Sequence, residues 1–167
     1  LERRVLSAVA LPEKAAPATS LKWPAGSRVA VVGKDSLTEA LAQALNKAGM
    51  LVTTELDGPL TALFLVGSDN CDNTFVREAF RQARQAAKQL QKSSPSALIS
   101  IARMDGQFGL TGKGNLSGGL TGLPKTAAHE WENVDCRAFD VDAGWKDAKA
   151  AAAAILHEVA VGGPLEI

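Results

Sequence analysis

Arg28-Val-Ala-Val-Val-Gly-Lys-Asp-Ser-Leu-Thr38 decides the fold class. Its first five residues make a short, nearly continuous apolar run, the pattern of a strand covered on both faces. The run stops at Gly33, after which Asp35 or Ser36 can cap a helix by accepting a backbone N–H. Leu37, Leu41, Ala44, Leu45 and Ala48 recur at helical spacing, and Gly49 ends the helix. This is a β-α unit, and the rest of the chain repeats it. Further strands are expected at Leu51 to Thr54, Ala62 to Val66, Ala97 to Ala102 and Val134 to Val141. A long helix is expected from Thr74 to Lys92, with Val76, Phe80, Ala83, Ala87 and Leu90 on its apolar face and Ser93-Ser94-Pro95 as its stop. Two more should cover Leu120 to Trp131, which Pro124 starts or kinks, and Lys146 to Val161. Strands alternating with helices imply a mainly parallel sheet flanked by helices on both sides, because a parallel connection needs a crossover. The expected fold is α/β, a truncated Rossmann-like domain.

Outside this core, Arg3 to Leu11 alternates like an edge strand, and the Pro/Ala/Lys-rich stretch Pro12 to Pro24 reads as a linker. The expected division is therefore an N-terminal edge strand and linker over residues 1–24 and one domain over 25–167. A chain of 167 residues suits a single core. Eighteen basic side chains balance eighteen acidic ones, so no overall field favours nucleic acid or an anionic membrane surface. With 46% hydrophobic and 22% charged residues the chain has the composition of a folded protein. No apolar stretch approaches a membrane span, and Cys71 and Cys136 lack zinc-site spacing or the density of a disulfide scaffold. Those features point to the cytoplasm. A first residue other than methionine and an apolar ending at Ile167 suggest a piece of a longer polypeptide.

A dinucleotide would sit beyond the carboxyl ends of the strands, with its phosphates on a glycine-rich first turn. Here that turn, Gly33 to Thr38, holds one glycine and places Asp35 where phosphate would lie, so an ordinary capped turn is expected and no cofactor. Seven of the fifteen glycines fall between Gly106 and Gly122. Gly112-Lys113 lacks both the earlier glycine and the following hydroxyl of a phosphate-binding loop, so close packing of a loop and helix start is the expected use. The chain contains no tyrosine, which removes the phenol as a proton donor.

Leu98-Ile-Ser-Ile-Ala-Arg-Met-Asp-Gly-Gln-Phe-Gly109, then Gly118-Gly-Leu-Thr-Gly-Leu-Pro-Lys-Thr-Ala-Ala-His-Glu-Trp131 and Asp135-Cys-Arg-Ala-Phe-Asp-Val141, resembles the ketoreductase region of type I polyketide synthases. It is most similar to that of bacterial polyunsaturated fatty acid synthases. Arg4 to Val9 and Gly163 to Ile167 are more loosely similar to the entry and exit of such regions. In that family two Rossmann-like halves pair. The first is a truncated short-chain-dehydrogenase-like fold; the second holds NADPH and the catalytic set that reduces β-ketoacyl groups on a carrier protein. Order along the chain places this sequence in the first half. Alignment on Gly119 to Lys125 puts Lys113 at the reductase tyrosine position and Ser117 at the lysine position, with Ala102 and Arg103 where the catalytic serine would lie. The resemblance thus implies a structural subdomain with no catalytic, cofactor or metal site. Its partners would be the catalytic ketoreductase half of the same polypeptide and, as candidates, acyl carrier domains.

Arg77, Arg81, Arg84, Lys88 and Lys92 form one basic stripe on the long helix, a possible docking surface for an acidic carrier domain or a neighbouring domain. His129 and His157 have no second ligand at helical spacing and are expected as surface histidines rather than an acid/base pair. Ser100, Ser117 and Cys136 lack the local signature of an activated nucleophile. Trp23 and Trp145 lie near segment boundaries, where either can close the core or meet another domain. Two rivals stay open: an NAD(P)H-dependent reductase or other nucleotide-binding Rossmann enzyme, and a small-ligand binding or regulatory α/β module.

Overall fold

Each of the five expected core runs is a strand: β1 Arg28–Val32, β2 Leu51–Thr53, β3 Ala62–Val66, β4 Ser96–Ala102 and β5 Val134–Asp140. The computed structural model describes residues 7–10, 21–68 and 70–167. All neighbouring strands pair in parallel, in the order β2-β1-β3-β4-β5. Four helices connect or follow them: α1 Ser36–Lys47, α2 Asn73–Lys92, α3 Gly122–Glu130 and α4 Ala148–Val161. A 3₁₀ turn, Leu116–Leu120, leads into α3. The α/β, Rossmann-like expectation holds.

Period-two alternation along the strands divides the core into two layers. Val29, Val31, Phe64, Val66, Ile99 and Ile101 face α1 and α4. Ala30, Leu63, Leu65 and Leu98 face α2, α3 and the 3₁₀ turn. Apart from Ser96 and Ser100 of β4, the three central strands β1, β3 and β4 are thus apolar toward both layers, which is why their sequences run rather than alternate. Asp35 caps α1, Asp72 caps α2 and Asp147 caps α4 through side-chain bonds to first-turn amides. Gly49 follows the last turn of α1 at φ 86°, the left-handed conformation a glycine adopts without strain. Pro124 stands in the first turn of α3, where its missing N–H costs nothing, so it starts the helix rather than kinking it.

Three expectations need correction or extension. On α2 the buried row is Ala79, Ala83, Ala86 and Leu90, and Phe80 is 50% exposed. The expected row shares Ala83 and Leu90 with the real one, so helical period alone cannot choose between them. Contact with the sheet selects the row of small alanines and turns the phenyl ring outward. On α1, Ala40 is buried in place of Ala48, which is exposed at the helix end. At the N-terminus Trp23 is 7% exposed and meets Phe64 edge-to-face at 6.2 Å, so the packed unit takes in residues 21–24 that read as linker. The strand expected from Arg3 to Leu11 lies largely outside the described residues, and residues 7–10 are exposed without regular structure.

Downstream of β5 the chain returns along its free edge. Ala138 N–H donates to Leu165 O at 2.7 Å, Ile167 N–H to Ala138 O at 2.9 Å and Asp140 N–H to Ile167 O at 2.9 Å. The pairing is parallel and is reinforced by a Lys125–Glu166 ion pair at 2.6 Å. Among the described residues, no helix is long and apolar enough to cross a membrane.

Candidate functional site

The strand order reverses between β1 and β3: α1 leaves β1 toward one layer and α2 leaves β3 toward the other. A crevice at the carboxyl ends of the strands opens at such a switch point, the usual ligand position in doubly wound sheets. One part is a cavity of about 240 Å³ lined by Asp35, Ser36, Ser68, Asn70, Arg103 and Trp145, with Lys146 and Ala148 at its side. A neighbouring one of about 280 Å³ lies over Gly33, Lys34, Asp72 and Phe75.

The first turn of this crevice is organised by the protein's own groups. Asp35 accepts from Thr38 N at 2.9 Å and from Thr38 Oγ at 2.7 Å, so a carboxylate already stands against the first turn of α1. Gly33 is packed rather than open: a Cβ there would lie 2.2 Å from Thr38 Oγ and 2.9 Å from both Val66 Cβ and Val66 O. The glycine lets the hydroxyl that bonds Asp35 sit under the strand end. Lys34, the one cation of the turn, is exposed.

On the other side of the crevice runs the glycine-rich crossover from β4 to α3, and two aspartates organise it. Asp105 accepts from the amides of Gln107, Gly109 and Thr111 at 2.8–3.0 Å and from the Thr111 hydroxyl at 2.6 Å. The Thr111 hydroxyl, supported by those amides, holds its carboxyl well below the usual carboxylate range. Asp140, at the end of β5, accepts from Met104 N at 2.9 Å and Phe108 N at 2.8 Å and so ties the loop to the sheet edge. Burial is the main cause that pushes its carboxyl up, against those two amides, and the Asp105 carboxylate adds to the rise. Asp105 and Asp140 also border a cleft of about 390 Å³ between this loop, β5 and α4.

Ser117 is wholly buried: its Oγ accepts from Arg103 N at 3.0 Å and donates to Asn115 Oδ1 at 2.5 Å. Asn115 in turn donates to Arg103 O at 2.6 Å. Gly118 and Gly119 press the 3₁₀ turn onto its neighbours, since a Cβ would come within 2.8 Å of Met104 Sδ and 3.1 Å of Val76 Cγ1. The glycines of this segment therefore serve close approach at these two positions, as expected. Lys113 is exposed on the loop. Lys113 and Ser117 are thus a surface ammonium and a buried hydroxyl engaged in holding the β4 terminus.

Arg103, 7% exposed, reaches across to donate to Trp145 O at 3.2 Å, with Ala143 O at 3.5 Å. Of the Cys-Arg-Ala-Phe-Asp run in β5, Cys136 packs toward α2 and α3. Arg137 turns the opposite way, donating to the carbonyls of Glu158 at 3.1 Å and Gly163 at 3.4 Å beyond α4 and pairing with Asp135 at 3.1 Å. Burial pushes the Cys136 thiol up to about 11 and raises that of Cys71 as well, and both cysteines are free. His129 lies on α3 and His157 on α4, in opposite layers with the sheet between them, so they form no pair. Ser100 is buried in the middle of β4, away from the crevice. Among the described residues no group of three His, Cys, Asp or Glu could hold a metal ion.

Sequence reading missed Asp105, Asp140, Arg103 and Asn115. Asp105 carried a local signal, since an aspartate before glycine often bonds amides two residues on. Asp140 carried none, because its amide partners lie 36 and 32 residues away. No family model and no curated protein matches the chain.

Proposed function

We propose that this chain is the structural, non-catalytic half of a ketoreductase in a cytoplasmic polyketide or polyunsaturated fatty acid synthase. Its task is to support a separate catalytic half that binds NADPH and reduces β-ketoacyl groups on a carrier domain. The observation that carries this is the first crossover. Asp35 takes the amide and hydroxyl of Thr38 at the α1 terminus, and Gly33 is closed in by Thr38 and Val66. A pyrophosphate needs both the amides and the approach. Reduction further needs a proton for the developing alkoxide; the chain has no phenol, and the aligned positions hold Lys113 and Ser117. In this reading the partner is the catalytic half, with carrier domains as candidates and neither nucleic acid nor membrane among them, and this chain itself holds no cofactor.

Calorimetric titration with NADPH tests the proposal: no binding is expected in the micromolar range. Micromolar binding, or turnover of a β-ketoacyl thioester with NADPH, overturns it and favours the reductase rival. The polypeptide after Ile167 gives a second check, since a strand, a glycine-rich turn and a Ser and Tyr catalytic set are expected there. A small-ligand binding module is the alternative favoured by the crevice that joins Arg103, Trp145 and Lys146, and a thermal-shift screen of small anions and metabolites would reveal it.

A further inference from the structure

The exposed side of α2 is out of balance with the rest of the molecule. The chain is neutral overall, yet this helix carries five basic residues and one acid, Glu78. Arg77, Arg81, Arg84, Lys88 and Lys92 are all exposed, opposite the buried alanine row. Glu78 is taken by Arg81 at 3.2 Å, and among the described residues Arg77, Arg84, Lys88 and Lys92 form no ion pair. Arg77 and Arg81, Arg84 and Lys88, and Lys88 and Lys92 stand four apart, where like charges repel. Apart from the Glu78–Arg81 pair, no ion pair within the described structure relieves that repulsion.

The stripe has an apolar border. Phe80 lies roughly 40° and 60° around the helix from Arg84 and Arg77, given 3.6 residues per turn. It is on the side of α2 where Val76 receives Gly119 of the 3₁₀ turn. Leu116, three residues before Gly119 and so on the same side of a 3₁₀ turn, is 49% exposed. Half-exposed aromatic and aliphatic side chains rimmed by arginines are the make-up of a protein interface, whereas a neutral chain has no field to gather nucleic acid. From Arg77 to Lys92 the stripe runs about 22 Å along the helix axis.

We propose that the Arg77–Lys92 face of α2, with Phe80 as its anchor, is a docking surface for an acidic amphipathic helix of a partner protein. Carboxylates on that helix meet the basic row, and an apolar position on it covers the Phe80 ring. The surface belongs to this domain whether or not the chain is half of a reductase.

The test is fluorescence anisotropy of a labelled helical peptide of about twenty residues, with rows of glutamate beside a leucine seam, titrated with the whole chain. Binding that tightens as salt is lowered is expected. The double variant R77E/R84E should weaken it about tenfold or more, K88E/K92E similarly, and Phe80→Ala about fivefold. Lys47→Glu, a control on exposed α1, should leave it unchanged. Circular dichroism of each variant confirms the fold, which surface changes should preserve. Absence of binding at low salt, equal loss in Lys47→Glu, or full retention in Phe80→Ala overturns the proposal. A DNA duplex of matching length that binds as tightly as the peptide also overturns it, by assigning a general polyanion surface.

Discussion

The two crossovers that flank the crevice solve the same problem in different ways. Between β1 and α1 the turn is three residues long, Gly33 to Asp35, and its bonds are local: Asp35 to Thr38, with Gly33 tucked against both the helix and Val66. Between β4 and the 3₁₀ turn the loop is long and its bonds are partly distant, resting on Asp140 from another strand. A short turn has few conformations to choose among, so one cap and one glycine define it. A long loop loses more entropy on ordering and needs several acceptors, some borrowed from β5. In both cases a carboxylate of the protein takes backbone amides that could otherwise meet an anionic ligand.

The comparison can be broken by substitution, and the largest effect is expected at Gly33. Gly33→Ala forces a Cβ against backbone oxygen and Val66 and displaces the Thr38 hydroxyl, for a loss of about 3 kcal/mol in urea unfolding. A loss under about 1 kcal/mol would mean that the turn relaxes freely and that its tight packing is not what closes the site.

Asp140→Ala should rank next. Two amides that are now bonded to a largely buried carboxylate lose their acceptor, at a cost of about 2 kcal/mol, and Met104 and Phe108 should exchange amide hydrogens faster. If the loop amides keep their protection, the long crossover does not depend on the distant strand. Asp35→Ala removes an N-cap alone and should cost about 1 kcal/mol, with no change in exchange across the long loop.

The smallest and most discriminating effect is in the pH dependence. Asp140 is raised above its ordinary 3.8, so its contribution is fully present below that pH and is lost as pH rises through its folded value. Asp105 is lowered from 3.8, so its contribution is present above that pH and is lost as pH falls through its folded value. Subtracting the Asp140→Asn curve from wild type should give a difference that shrinks as pH climbs above 3.8; the Asp105→Asn difference should grow as pH approaches 3.8 from below. Equal slopes would show that the two aspartates do not hold the loop in the distinct ways described.

What was legible in the sequence follows the range of the interactions. Arg28–Val32, Ala62–Val66 and the cap of α1 depend on neighbours within a few residues, through apolar runs and side-chain bonds to nearby amides. Asp105 belonged to the same class. The outward turn of Phe80 was not legible, because two overlapping rows of α2 satisfy the same period and only the sheet chooses the smaller one. Nor was the inclusion of Trp23 in the core, which depends on Phe64 far along the chain.

Amino-acid order alone determined that strands alternate with helices, that glycines crowd one crossover and that no phenol exists, since each is a property of composition or local spacing. Tertiary structure alone decided the strand order, the placing of His129 and His157 in opposite layers and the tie from Asp140 to the long loop. Those outcomes are set by which surfaces meet when the sheet closes, and contacts between residues tens of positions apart leave no mark in local periodicity.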